Sequence, residues 1–145
     1  MNNEMIELAR RAVASPHWRW MPGMRLVCPG SDEAFRVESE PAWNGGLYRA
    51  FGISEDWIAA PEDELPDLTD PATLGWLLAL VREAWGCEVW VSLDPDPDPV
   101  NGAMCGDEHW FVSRVGFGLS AQRIAHGTDA ASALVAALES APRQA

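Results

Sequence analysis

Lysine is absent from this 145-residue chain, so all ten of its positive charges are arginines. Diffuse attraction to phosphate needs a basic face, and the chain carries a formal net charge of -12, so direct binding to nucleic acid is not expected. Long apolar runs are also missing. The longest, Leu74 to Val81, stops at Arg82, far short of the roughly 20 residues that cross a bilayer. The first residues carry Glu4 and Glu7 where a secretory signal needs positive charge, and a cytoplasmic protein without a membrane partner is expected. Cysteine is scarce and odd in number: Cys28, Cys87 and Cys105 lack the spacing of a disulfide framework and read as reduced thiols. No segment repeats at a fixed period, which excludes a solenoid or propeller.

What is present is apolar and aromatic. Hydrophobic residues make up 48% of the chain, with eight tryptophans, enough to offset the entropy of ordering a globular domain. The length fits one domain. Charge is unevenly placed. Residues 1–50 hold six arginines and six acids, residues 51–108 hold Arg82 against fourteen acids, and residues 109–145 hold three arginines against two acids. The middle segment therefore offers a face for a basic partner.

Local signals place the elements. Asn2 or Asn3 caps a helix to about Ala14, with Met5, Leu8, Ala9, Ala12 and Val13 at helical spacing and Pro16 ending it. Met24 to Cys28 and Ala34 to Glu38 read as a hairpin around Pro29-Gly30-Ser31-Asp32. Residues 40–70 are broken by proline and glycine into short pieces. Asp70 then caps a helix that starts at Pro71 and ends near Trp85 before Gly86; its stripe of Leu74, Leu77, Leu78, Val81 and Trp85, widened by Trp76 and Leu80, makes it the expected most buried helix. Cys87 to Leu93, His109 to Val115 and Phe117 to Ala125 read as strands, and Thr128 or Asp129 caps a last helix stopped by Pro142. Consecutive strands on short connections run antiparallel, so the expected class is α+β, a mainly antiparallel sheet covered by helices.

The stretch LPDLTDPATLGWLLALVREAWG, the strands after it and the closing helix DAASALVAALESAP resemble the phage ABA sandwich proteins, over about residues 65–141. The resemblance implies an α/β/α sandwich and a phage or prophage origin. It brings no functional residues with it.

Several fragments approach chemistry and stop short. In VWVSLDPDPDP, Asp94, Asp96 and Asp98 offer oxygens to a divalent cation, but an EF-hand starting at Asp94 meets Pro99 and Cys105 where glycine and glutamate belong. Prolines 95 and 97 also remove amides that would cradle phosphate, so the expectation is an extended hairpin loop. GLSAQ lacks the last glycine of a nucleophile elbow. Cys105, His109 and His126, with Asp107, match no standard zinc spacing. No cofactor is called for.

HWRWMPGM, residues 17–24, places Trp18 and Trp20 on one side of an extended chain and Arg19 on the other. Two adjacent exposed indoles would form a costly patch, so they are expected to clip the first helix onto the core and leave Arg19 at the surface. The reading that follows is a small non-enzymatic protein that binds an unidentified protein with a basic surface, through Arg19, Glu62, Asp63, Glu64 and Asp67. Two alternatives are a nucleic-acid mimic that blocks a host defence enzyme and a metal-dependent hydrolase built on the 94–109 loop.

Overall fold

The computed structural model describes residues 2–30, 34–37, 47–50, 57–59, 64–97, 104–116, 118 and 120–143; at 35, 47–50, 57–59, 95–97 and 104–108 the description is of the backbone alone. The chain divides into two compact units, Met1–Trp76 and Leu77–Ala145. Its class is α+β with antiparallel strand pairing, as the element order predicts.

In the first unit, α1 spans Asn3–Ala14 and is capped by Asn2, whose side chain accepts from the Met5 amide at 2.8 Å. Its buried face is Leu8, Ala9 and Ala12. β1 (Arg25–Val27) and β2 (Ala34–Val37) form the expected hairpin, with Leu26 opposite Phe35. The stretch broken by proline and glycine supplies β3 (Leu47–Ala50), β4 (Trp57–Ala59) and β5 (Leu65–Pro66). These complete a five-stranded sheet in the order β4-β3-β2-β1-β5. β5 returns to the far edge of β1, pairing Leu26 with Pro66 and Val27 with Leu65.

α2 spans Pro71–Trp85, with Gly86 at φ 63° ending it in the left-handed conformation that favours glycine. The expected apolar stripe is rotated. Leu77, Leu80, Val81 and Ala84 are buried, whereas Leu74, Leu78 and Trp85 are only half-buried. Thr73, four positions before Leu77, is fully buried as well.

In the second unit, β6 (Val89–Pro97), β7 (Met104–Val115) and β8 (Ala121–Gly127) form a three-stranded antiparallel sheet in the order β6-β7-β8. α3 (Ala130–Glu139) packs on β7 and β8. Asp129 caps α3 in a reciprocal box with Ser132. Six of the ten residues of α3 are buried, so α3, not α2, is the most buried helix. Its small side chains permit this. At Gly127 an added Cβ would come within 2.5 Å of the Ala133 amide nitrogen, so the end of β8 lies against the first turn of α3. Trp85 closes the same core by donating its indole N–H to the Ala137 carbonyl at 2.9 Å.

The Asp-Pro repeat corrects another expectation. Residues 94–97 are not loop but the second half of β6, with Asp94 opposite His109, Pro95 opposite Glu108 and Pro97 opposite Met104. β6 is an edge strand, where alternate N–H groups face away from the sheet and proline is tolerated, and the register shifts between Pro95 and Pro97. Among the described residues no helix is long and apolar enough to cross a membrane.

Candidate functional site

HWRWMPGM is a connector built from local bonds. Ser15 ends α1, and its carbonyl accepts from the Trp18 amide at 3.0 Å. Gly23, at φ 90°, then turns the chain into β1, with its amide on the Val37 carbonyl at 2.8 Å. Trp18 and Trp20 meet edge to face, with centroids 5.4 Å apart and planes at 84°. Both are half-buried and Arg19 is exposed. Two polar atoms in this connector, His17 Nε2 and Trp18 Nε1, are closed from solvent without a hydrogen-bond partner.

A polar network holds the start of α2 against the β-hairpin. Arg36 reaches Asp70 with both terminal nitrogens, at 2.8 and 3.2 Å, and donates to the Gly23 carbonyl at 2.7 Å. Asp70 also accepts from the Thr73 amide and hydroxyl, each at 3.0 Å. The Thr73 hydroxyl oxygen in turn accepts from the Arg25 amide at 2.9 Å. The hydrogen bond from Arg36 holds the Asp70 carboxyl below its ordinary range, and the same pairing raises Arg36. Asp67 is similarly occupied: it accepts from the Thr69 amide and hydroxyl at 3.0 and 2.6 Å and pairs with Arg25 at 3.4 Å. Asp70→Ala is expected to cost about 2 kcal/mol, roughly half for the lost helix cap and half for the unpaired Arg36, which still reaches water. Urea unfolding checks this, and a double-mutant cycle with Arg36→Met should return a positive coupling.

One acid of this region has no such partner. Glu64, just before β5, is 7% exposed, and its Oε2 is closed from solvent with no hydrogen bond. Burial without compensation pushes its carboxyl up to about 7. Glu64 lines an open cleft of about 490 Å³ between the end of α1, the end of β1 and the start of β5. Val13, Ala14, Pro29 and Leu65 give the cleft its apolar wall, and Arg10 and the half-buried Cys28 are its other polar groups among the described residues. Arg10 is already paired with Glu7, one turn away on α1.

The acids expected to meet a partner therefore separate. Glu64 and Asp67 lie inside the first unit instead of on its surface, each 7% exposed, while Glu62 and Asp63 lie outside the described residues. What turns Glu64 and Asp67 inward is β5, whose pairing with β1 carries the flanking residues into the core. No local pattern announces this, because the run reads as polar. The one available signal is the alternation of acids with Leu65, Pro66 and Leu68, all buried.

In the second unit, Asp94 is the one candidate cation ligand of the three whose side chain is described. Asp94 accepts from the Ser92 hydroxyl at 2.7 Å and pairs with Arg123 at 3.7 Å. Arg123 lies over the Phe111 ring at 3.7 Å. His109 and His126 share this side of the sheet, with ring centroids 6.4 Å apart. The side chain of Asp96, the whole of Asp98, and the side chains of Cys105 and Asp107 lie outside the description. Among the described residues no three His, Cys, Asp or Glu side chains form a group suited to a metal ion. In GLSAQ, Ser120 lies in the turn from β7 to β8, its carbonyl accepting from the Gly116 amide at 2.7 Å.

No known protein family, curated protein or solved structure matches this chain.

Proposed function

We propose that this is a non-catalytic, cytoplasmic protein, of phage or prophage type, that acts by binding another protein with a basic surface. The observation that carries the reading is Glu64, a buried carboxyl without a partner, at the side of an open cleft in a strongly acidic chain. A carboxyl in that position is costly to the free protein and is relieved when a donor arrives. The phage origin rests on the resemblance of residues 65–141.

Mimicry of nucleic acid is less well supported. A mimic needs free carboxylates spaced like phosphates, and Asp67, Asp70, Glu88 and Asp94 are each paired with an arginine. A hydrolase on the β6–β7 connection is likewise disfavoured, since Asp94 is engaged by Ser92 and Arg123.

Panning a random peptide library on the immobilised protein tests the reading. The selected sequences should be rich in lysine and arginine, and their association rates should fall as salt rises, because steering between exposed charges is screened beyond about 8 Å at physiological ionic strength. Selection of neutral or acidic peptides, with rates indifferent to salt, would overturn it.

A further inference from the structure

We infer that the cleft beside Glu64 is the receptor for one lysine or arginine side chain of the partner, its carboxylate meeting the cationic tip and its apolar wall the methylene stem. This rests on the protein-binding reading and names the chemistry of the site. Three features of the cleft select that occupant. Among the described polar lining residues Glu64 is the most buried, and its Oε2 is unpartnered, so a donor that enters as the carboxylate turns toward the cleft finds an unused oxygen. Val13, Ala14, Pro29 and Leu65 make a surface that rewards a stem of several methylenes and gives nothing to a compact, fully hydrated ion. At about 490 Å³ the space exceeds one side chain of that length, and its open form lets the rest of a peptide remain outside.

Among the described residues, the charged groups around Glu64 do not oppose a cation. Arg10 on α1 is the one cation that lines the cleft among the described residues, and Glu7 neutralises it; its side chain is 58% exposed, so it can swing into water. Cys28, beyond β1, brings a thiol. An anionic ligand would have to lie against Glu64 and take Arg10 away from Glu7. A cation gains the buried carboxylate without breaking any pair.

The binding form is the ionised carboxylate, which gives the site a pH signature. With the Glu64 carboxyl at about 7, its ionised fraction rises about tenfold between roughly pH 6 and pH 8, while an alkylammonium stays protonated throughout.

n-Butylammonium and n-butylguanidinium are suitable probes, followed by shifts of the amide resonances of Val13, Ala14 and Leu65, with butyrate and butanol as controls. Both cations should bind saturably, with affinity rising about tenfold over that pH interval. Glu64→Gln should lower the affinity at least about tenfold at the upper pH and abolish the pH dependence, and the melting temperature of the variant confirms that it is folded. Equal binding of butyrate or butanol, or an unchanged affinity in Glu64→Gln, would overturn the assignment. The library-selected peptide separates the site from the function. If it binds Glu64→Gln as well as wild type, the cleft assignment fails and the protein-binding reading stands. If the alkyl cations bind the cleft but panning returns no basic peptides, the protein-binding reading fails and the cation site stands.

Discussion

Glu64→Gln should stabilise the protein by up to about 3 kcal/mol at pH 8 and leave it unchanged near pH 4. The Glu64 carboxyl is raised by burial from an ordinary 4.5 to about 7, and each tenfold change in a protonation equilibrium corresponds to about 1.4 kcal/mol. The sign follows from proton linkage. A carboxyl raised in the folded state is protonated there more readily than in the unfolded chain. Its contribution is fully favourable below the unfolded value and is lost as pH rises through the folded one. Wild type therefore weakens between about pH 4.5 and pH 7 relative to the glutamine variant, which keeps the shape of the neutral acid. Asp70 acts in the opposite sense. Its carboxyl is lowered by Arg36, so its contribution is present above the ordinary value and fades as pH falls through the folded value. The difference between wild type and Glu64→Gln, followed by urea unfolding across pH, removes the Asp70 contribution and isolates Glu64.

Leu77→Ala should cost about 2 to 5 kcal/mol and Leu78→Ala clearly less. The two residues are neighbours on α2 with identical side chains, but Leu77 is 0% exposed and Leu78 is only half-buried. Truncating the first removes transfer energy and leaves a cavity that close-packed neighbours fill only in part. Truncating the second exposes a site that water already reaches. The pair reports whether the helix is rotated as described, because a stripe centred on Leu74, Leu78 and Trp85 gives the reverse order. Urea midpoints at constant m-value decide between them.

The elements legible in the sequence are those fixed by residues close in the chain. Asn2, Asp70 and Asp129 announce their helices because a cap is a contact over three residues, and Gly86 marks a C-terminus for the same reason. The first hairpin is readable from its turn. The Asp-Pro repeat is not, because only its place at a sheet edge makes proline acceptable within a strand. The burial of Glu64 and Asp67 is equally hidden. It depends on β5 pairing with β1, some forty positions earlier in the chain, and nothing around ELPDL specifies that partner. Trp18 and Trp20 are more legible, since alternation along an extended chain already puts them together. The candidate site thus comes from the structure, whereas the expectation of a basic partner comes from charge alone.

Everything proposed for the cleft depends on one carboxyl, and its titration can be watched directly. In protein labelled with ¹³C at glutamate side-chain carboxyls, the Glu64 resonance, assigned by its loss in Glu64→Gln, should titrate with a midpoint near 7 and move to lower pH when n-butylammonium saturates the cleft. A midpoint near 4.5 that the amine does not move would mean that Glu64 is solvated and already satisfied, and it would contradict the cleft as a cation receptor.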